Sequence, residues 1–280
     1  MNRQPPHWLA VLTAALLLSA SASTSSWAGS GAIQRASIDE TFEAGSAELI
    51  GVAGRVSILL HDGHDIRLRA EGPKRWISDL VRRTEAGVLV VNAGSLTGSA
   101  GGSAVTIASG PGARAETRIG SLSITSDGGV AIAGSAEAPP EVELYVPPGT
   151  PLTVTGAVGE WDIAALKAPL ALELTGGEVR AGAMTSARLS VRGGGEIEIA
   201  RVDGDLHADI AGSGSITVLA GAVTSLKSSI SGTGSVVVQA PAERAELAVT
   251  GVGSIEVQKV RQEPKVRISG LGTVRTGYRP

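Results

Sequence analysis

Cysteine is absent from the 280 residues of the chain. Its absence excludes disulfide bonds, thiolate metal sites, a cysteine nucleophile and lipid attachment through an N-terminal cysteine. Aromatic side chains make up only 2% of the residues and charged side chains 18%, against about 25% charged in ordinary globular domains. The net charge of -3 is too small to drive binding to nucleic acid or to an anionic membrane. We therefore expect no nucleic-acid partner and no cofactor.

Long apolar segments are also lacking. The apolar run Trp8–Leu18 has eleven residues, whereas a membrane-spanning helix needs about 20. Arg3 precedes this run, and the small-x-small sequence Ser26-Trp27-Ala28 follows it. Residues 1–28 are therefore predicted to be a cleaved secretory signal peptide. The mature protein is expected in the periplasm or at the cell surface, neither anchored in the membrane nor lipidated.

Glycine, in contrast, is abundant, with 38 residues, roughly twice the usual share. It shows no three-residue period, which excludes collagen, and 42% of the chain is hydrophobic, which argues against disorder. Short aliphatic runs separated by glycine predict many strands and tight turns.

A repeat accounts for much of this glycine. A glycine followed by a polar and then an apolar residue recurs every 18 to 20 positions, at Gly159, Gly177, Gly195, Gly214, Gly234, Gly253 and Gly272. Apolar residues two and four positions later, with mostly polar ones between them, predict a strand with one buried face. Aliphatic residues four positions before the glycine mark a second strand, at Val191, Ile210, Ile230, Val249 and Ile268.

A unit of 19 residues with two short strands cannot bury a core alone, so successive units must stack. The sequence therefore predicts an all-β fold, a right-handed parallel β-helix or solenoid of about seven coils of 18–20 residues. An antiparallel sandwich would invert the pattern in alternate units, and the observed pattern keeps one polarity through all seven copies.

The first half of the chain is less regular. Val56–Leu60 and Ile66–Ala70 look like the two strands of a hairpin. Pro73–Arg83 is predicted as a short helix with Trp76, Leu80, Ile77 and Val81 facing inward.

Three segments complete the predicted organisation. The Gly-, Ser- and Ala-rich stretch 93–115 is typical of a flexible loop. An N-terminal β-rich cap with one short helix is expected over 29–115 and solenoid repeats over 116–280, with 45–280 as one unit. The final residues Tyr278-Arg279-Pro280 are expected to close the last coil, because proline cannot continue a ladder.

The repeats AGSGSI, SGTGSV, TGVGSI and SGLGTVRTGYRP resemble those of the bacterial head GIN domain family, described as autotransporter-adhesin heads. The passage AGRVSILLHDGHDIRLRAEGPKRWISDLVRRTEAGVLVV is similar to the N-terminal part of that family, and VELYVPPGTPLTV to related adhesin-type β-solenoids. The resemblance covers most of residues 45–280. It implies a β-helix-like fold in an exported envelope protein and brings no catalytic residues.

Two groups of side chains are candidate cation sites. His61, Asp62, His64 and Asp65 offer two imidazoles and two carboxylates to a divalent ion. Because Asp-Gly favours turns and five consecutive residues rarely converge on one site, the sequence favours a polar turn there.

The second group is the column Glu160, Glu178 and Glu196 of three successive coils. Stacked like charges repel, so either a cation bridges them or they face water, and the sequence favours the solvated face. The neighbouring polar column is expected to be the exposed face of the solenoid, at Asp162, Arg180, Glu198, Thr217 and Glu256.

These observations favour an exported, non-enzymatic, adhesin-like module that presents a surface to an envelope or extracellular protein or glycan. The alternative is a periplasmic glycan-binding or glycan-processing β-helix. Aromatic platforms for sugars are scarce in the mature chain, where the aromatic residues are Phe42, Trp76, Tyr145, Trp161 and Tyr278. No catalytic, cofactor-binding or metal-binding residue is assigned, His207 is treated as isolated, and an oligomer remains compatible with the pattern.

Overall fold

Seventeen strands and one short helix make up the regular structure of the described residues. The computed structural model describes residues 34–93, 115–119, 122–126, 130–134 and 140–278. The predicted signal peptide, most of the predicted loop at 93–115, and Arg279 and Pro280 lie outside them. The elements are β1 Arg35–Phe42, β2 Ser46–Ile50, β3 Ala53–Leu60, β4 Ile66–Pro73, α1 Lys74–Asp79, β5 Val81–Glu85, β6 Val88–Asn92, β7 Ala115–Ile119, β8 Leu122–Ser126, β9 Val130–Gly134, β10 Glu141–Val146, β11 Leu152–Ile163, β12 Pro169–Met184, β13 Ser186–Ile210, β14 Ser213–Ile230, β15 Thr233–Val260, β16 Lys265–Gly270 and β17 Thr273–Thr276.

From β11 onward the strands stack in parallel, one coil on the next. Trp161 pairs with Val179, and Val179 with Ile197, so equivalent positions of successive coils lie side by side. The same register continues through β14, β15, β16 and β17. The predicted β-solenoid of about seven coils is thus confirmed. Its long strands bend at corners, so that one strand can supply parts of two coils.

The core is a set of aliphatic columns that run along the solenoid. Val179, Ile197, Ile216 and Val236 form one such column, and each is fully buried. Because alternate residues of a strand point to opposite faces, the period-2 pattern places every second residue inside. Each buried aliphatic side chain contributes roughly 1.5–3 kcal/mol, and a narrow interior of this kind accommodates valine and isoleucine more readily than aromatic rings.

Glycine is required at the corners because successive coils approach backbone to backbone. A Cβ on Gly177 would lie 2.1 Å from the carbonyl oxygen of Gly159, and one on Gly214 would lie 2.3 Å from that of Gly195. The first glycine of each GxG motif forms a second ladder, in which a Cβ on Gly212 would lie 2.1 Å from the oxygen of Gly193. The recurrence of GxG therefore reflects two adjacent lines of close contact between coils.

The solenoid begins earlier than the repeat predicts. β2 and β3 stack in parallel on β11, with Ala47 opposite Leu152 and Val56 opposite Trp161. A Cβ on Gly159 would lie 2.2 Å from the oxygen of Gly54, so Gly54 continues the glycine ladder. Part of the segment predicted as a cap is therefore a coil.

The predicted hairpin of Val56–Leu60 with Ile66–Ala70 is wrong. β10 lies between these strands, parallel to β3 and antiparallel to β4. Its apolar residues Val142, Leu144 and Val146 are fully buried, so the insertion extends the core. The segment His61–Asp65 connects strands that are not neighbours, and the His61 amide donates to the Val146 carbonyl across the end of β10.

The N-terminal end of the solenoid carries the predicted helix. Trp76, Ile77 and Leu80 are buried as expected, and α1 contacts β1 and β4. Val81 is 46% exposed instead of buried, because the helix ends at Asp79 and Val81 begins β5.

Residues 115–134 differ from the coils. β7, β8 and β9 pair antiparallel with one another in a three-stranded sheet of their own. These strands fall within the range 116–280 that the sequence assigns to repeats, but they have neither the corner glycine nor parallel neighbours.

At the C-terminal end the last coil is only partly covered. Tyr278 packs against the core, in keeping with its predicted closing position, but Val266 and Ile268 remain 42% and 48% exposed. Within the described residues, no helix has the length and apolar character to cross a membrane.

Candidate functional site

The polar segment His61–Asp65 forms a turn whose histidine is held by the backbone. The Gly63 amide donates to His61 Nδ1 over 3.1 Å, and His61 Nε2 lies 2.6 Å from the Asp65 carbonyl oxygen. Both ring nitrogens are therefore engaged. In the part of the chain that the structure describes, no three metal-ligating side chains converge, so the turn interpretation is the better supported one.

The glutamate column is present as predicted, with Glu160 beside Glu178 and Glu178 beside Glu196. An arginine offsets the charge at two of its three positions. Arg55 Nη2 lies 3.1 Å from the Glu160 carboxylate, and the Arg180 guanidinium forms an ion pair with Glu178.

We define the acidic face as the outward side chains of the strand that follows each corner glycine from β11 to β17. It carries six carboxylates and two arginines, at Glu160, Asp162, Glu178, Arg180, Glu196, Glu198, Glu256 and Arg275. The column predicted as the exposed face belongs to it. Asp162, Arg180 and Glu256 are exposed there, while Glu198 and Thr217 are half-buried.

We define the basic face as the outward side chains of the strand that precedes each corner glycine from β12 to β16. It carries six cationic side chains and four carboxylates, at Arg188, Arg192, Lys227, Arg244, Lys265, Arg267, Glu173, Asp205, Asp209 and Glu246. Lys265 Nζ lies 2.8 Å from Glu246 and holds the pKa of that carboxyl below its usual value. The two faces thus have opposite net charge, although the whole chain is nearly neutral.

A groove of about 490 Å³ crosses the basic face; we call it the Arg188 groove. Pro151, Thr153, Pro169 and Ala171 line one end, where the outward side chains are small or cyclic. The other end is lined by Arg188, His207 and Lys227 from successive coils, together with Asp205. The groove exists because the first coils lack the long polar side chains of the later ones.

His207, which the sequence analysis treats as isolated, has two fixed neighbours. Its Nε2 lies 2.8 Å from Asp209 Oδ2, and the Ser229 hydroxyl donates to Asp209 Oδ1. A catalytic triad requires the histidine to bond to the serine, whereas here the aspartate lies between them. The cluster therefore orients the imidazole and does not activate Ser229.

The chain matches the model of one family over residues 48–280, described as "Putative auto-transporter adhesin, head GIN domain". No curated protein matches the chain significantly. A crystal structure titled a putative adhesin, from Bacteroides fragilis NCTC 9343, is similar over 87% of this chain and 97% of its own, with a TM-score of 0.58 and 14% identity.

Two structures from Parabacteroides distasonis ATCC 8503 are more distantly similar, both at 14% identity. One, titled a putative lipid binding protein, has a TM-score of 0.47 and covers 87% of this chain and 97% of its own. The other, titled a putative adhesin, has a TM-score of 0.46 and covers 88% and 98%. At such identities the likeness concerns the fold alone, whereas the family model covers more than half of the sequence. The chain belongs to the head GIN domain family.

Proposed function

We propose that this protein is an exported, non-enzymatic, adhesin-like module that contacts an envelope or extracellular macromolecule through the outer strands of its solenoid. The observation that carries the proposal is the separation of charge between the acidic and basic faces. Complementary charge guides specific association more than it adds affinity. Backbone hydrogen bonds between coils hold these side chains on a rigid support, which suits recognition of an extended partner.

The two carboxylates that β13 supplies to the basic face, Asp205 and Asp209, are poorly placed as a catalytic pair for glycoside hydrolysis. Inverting glycosidases hold their two carboxyl groups about 6.5–9.5 Å apart, and retaining enzymes about 5 Å. Asp205 and Asp209 lie on the same strand four residues apart, which is about 13 Å along an extended chain. Asp209 is also hydrogen-bonded to His207 and Ser229. This spacing supports a binding role over cleavage.

The second candidate is a periplasmic glycan-binding protein, and the Arg188 groove favours it. The groove has a volume in the range of small-ligand sites, about 300–1,000 Å³. It is open to solvent along the coils, as binding to a chain-like ligand would require.

A single preparation of residues 29–280 tests the proposal. The protein is applied to a glycan array and to immobilised cell-envelope fractions, and the same material is assayed for release of reducing ends. We expect retention on at least one surface and no release of sugar. Catalytic release would overturn the non-enzymatic role, and failure to bind every surface would overturn the adhesin-like role.

Export is tested separately by fractionating cells that express the full chain. We expect a mature protein that begins at Gly29 in the periplasm or at the cell surface. An uncleaved chain retained in the cytoplasm would contradict this part of the proposal.

A further inference from the structure

Two cations of the Arg188 groove differ from most others of the described residues in forming no ion pair. Elsewhere on the surface, arginines are commonly paired, as Arg55 is with Glu160 and Arg192 with Glu173. Among the described residues, neither Arg188 nor Lys227 takes part in an ion pair or a side-chain hydrogen bond, although both line the groove. The Arg188 guanidinium is therefore available to a ligand, whereas Lys227 also attracts the carboxylate of Glu246, which itself bonds Lys265.

The stacking of the coils sets the spacing of the side chains along the groove. His207 and Lys227 occupy paired positions of β13 and β14, and Arg188 occupies the equivalent position one coil earlier. Neighbouring parallel strands lie about 4.8 Å apart, so the three side chains form a row with that repeat. His207 is held through Nε2 by Asp209, and Nδ1 of the neutral ring can then only accept a hydrogen bond, such as one from a ligand hydroxyl.

The other end of the groove is uncharged. Pro151, Pro169 and Ala171 present apolar surface there, and Thr153 adds a hydroxyl. A ligand that fits the whole groove must combine anionic groups with a moderately apolar body. Saccharide rings have such apolar faces, and carboxylate or sulfate groups along a saccharide chain would meet Arg188 and Lys227. A neutral glycan would leave Arg188 and Lys227 without a partner.

From these contacts we infer that the Arg188 groove binds an acidic oligosaccharide, with its carboxylate or sulfate groups on Arg188 and Lys227 and a sugar hydroxyl on His207. The inference rests on the proposed function, since it names the ligand class of the same binding module. Arginine contributes paired hydrogen bonds to such groups, and Lys227 contributes a single mobile charge.

Calorimetric titration of residues 29–280 with three probes tests the inference. The probes are an oligogalacturonate, a sulfated dextran fragment and neutral dextran of similar length. We expect binding to one or both acidic probes, weakened by added salt, and none to neutral dextran. The two acidic probes distinguish a carboxylate from a sulfate ligand. Equal binding of all three, or binding of none, would overturn the inference.

Variants of the groove make the test specific. Arg188→Ala and Lys227→Ala should each weaken binding about tenfold, the loss expected for one charge-assisted contact. The matched control is Lys259→Ala, which removes an exposed lysine outside the groove and should leave the affinity unchanged. Equal losses in all three variants would indicate general charge attraction and refute a specific groove.

Two further outcomes separate this inference from the proposed function. If Arg188→Ala does not alter retention on the envelope fractions, the groove assignment fails while the adhesin-like role stands. If vesicles with anionic headgroups bind the protein through Arg188 and Lys227 and the acidic saccharides do not, the ligand is a lipid surface and the inference is wrong.

Discussion

Gly177 makes one of the close backbone contacts between coils, and substituting it tests the packing of the solenoid. Gly177 has φ +112°, and a Cβ there would lie 2.1 Å from the Gly159 carbonyl oxygen and 2.7 Å from its amide nitrogen. Ordinary Cβ contacts begin near 3.4 Å. Because both contacting atoms belong to the backbone, no side-chain rotation relieves the overlap, and the two coils must move apart.

The magnitude for Gly177→Ala follows from two contributions. A non-glycine residue in such a backbone conformation costs about 1–3 kcal/mol, and overpacking costs about 1–3 kcal/mol. We expect a loss of about 2–6 kcal/mol from a free energy of unfolding that is typically about 5–15 kcal/mol. For a domain of this size, 4 kcal/mol corresponds to a fall in Tm of about 8–16 °C.

The preceding residue supplies the control. A Cβ on Gly176 would lie 3.4 Å from the Gly194 carbonyl oxygen, and Gly176 has no positive φ. Gly176→Ala should change stability by less than about 1 kcal/mol, because fewer unfolded conformations offset the tighter contact. Urea unfolding of both variants measures the difference, provided that they share the m-value of the unsubstituted protein. Equal stabilities within about 1 kcal/mol would refute the argument that close stacking of coils requires the corner glycines.

Four other substitutions test particular contacts. The Ser228 hydroxyl is buried and has no hydrogen-bond partner among the described residues. Ser228→Ala should therefore raise the free energy of unfolding by about 1 kcal/mol. A lower stability of the variant in urea unfolding would contradict this. Ile230 and Ile268 occupy the same column, but Ile230 is 1% exposed and Ile268 is 48% exposed. Ile230→Ala should therefore lower the free energy of unfolding by about 2–5 kcal/mol, and Ile268→Ala by less than half as much. Equal losses of stability in thermal unfolding would show that the last coil is covered. Arg67 donates a hydrogen bond to Asp39 and lowers the pKa of that carboxyl in the folded protein. The stability that this ion pair adds is therefore present above the ordinary pKa of aspartate. It is lost as the pH falls through the lower pKa of the folded state. Asp39→Asn should therefore narrow the difference in Tm between pH 7 and pH 3, and an unchanged difference would argue against the pair.

The regular part of the fold was predictable because the sequence repeats. Seven corner glycines and their flanking aliphatic columns define the register of every coil from β11 onward. Gly54 carries the same signal in the triplet GRV, but 105 residues separate it from Gly159 and hide the period. The position of β10 was not predictable, because β3 and β4 look like a complete hairpin and nothing local indicates that a distant strand separates them.

Once the period of the corner glycines is known, the sequence also predicts which residues of the Arg188 groove align. Arg188, His207 and Lys227 each stand seven residues before a corner glycine, at Gly195, Gly214 and Gly234, so their alignment is readable from the sequence. Whether this row borders a groove depends on the earlier coils, where small and cyclic residues occupy the neighbouring positions.

Corner glycines therefore determine more than backbone packing, because the distance of a residue from its glycine decides which face its side chain joins. Odd offsets after the glycine place Glu160, Asp162 and Glu198 on the acidic face, whereas the seventh position before it places Arg188 and Lys227 on the basic face. A shift of one residue between a corner glycine and its strand would turn the buried side chains of that strand outward and the exposed ones inward. Substitution of outward-facing residues can thus change the charge of the acidic and basic faces one coil at a time, while the buried columns stay the same.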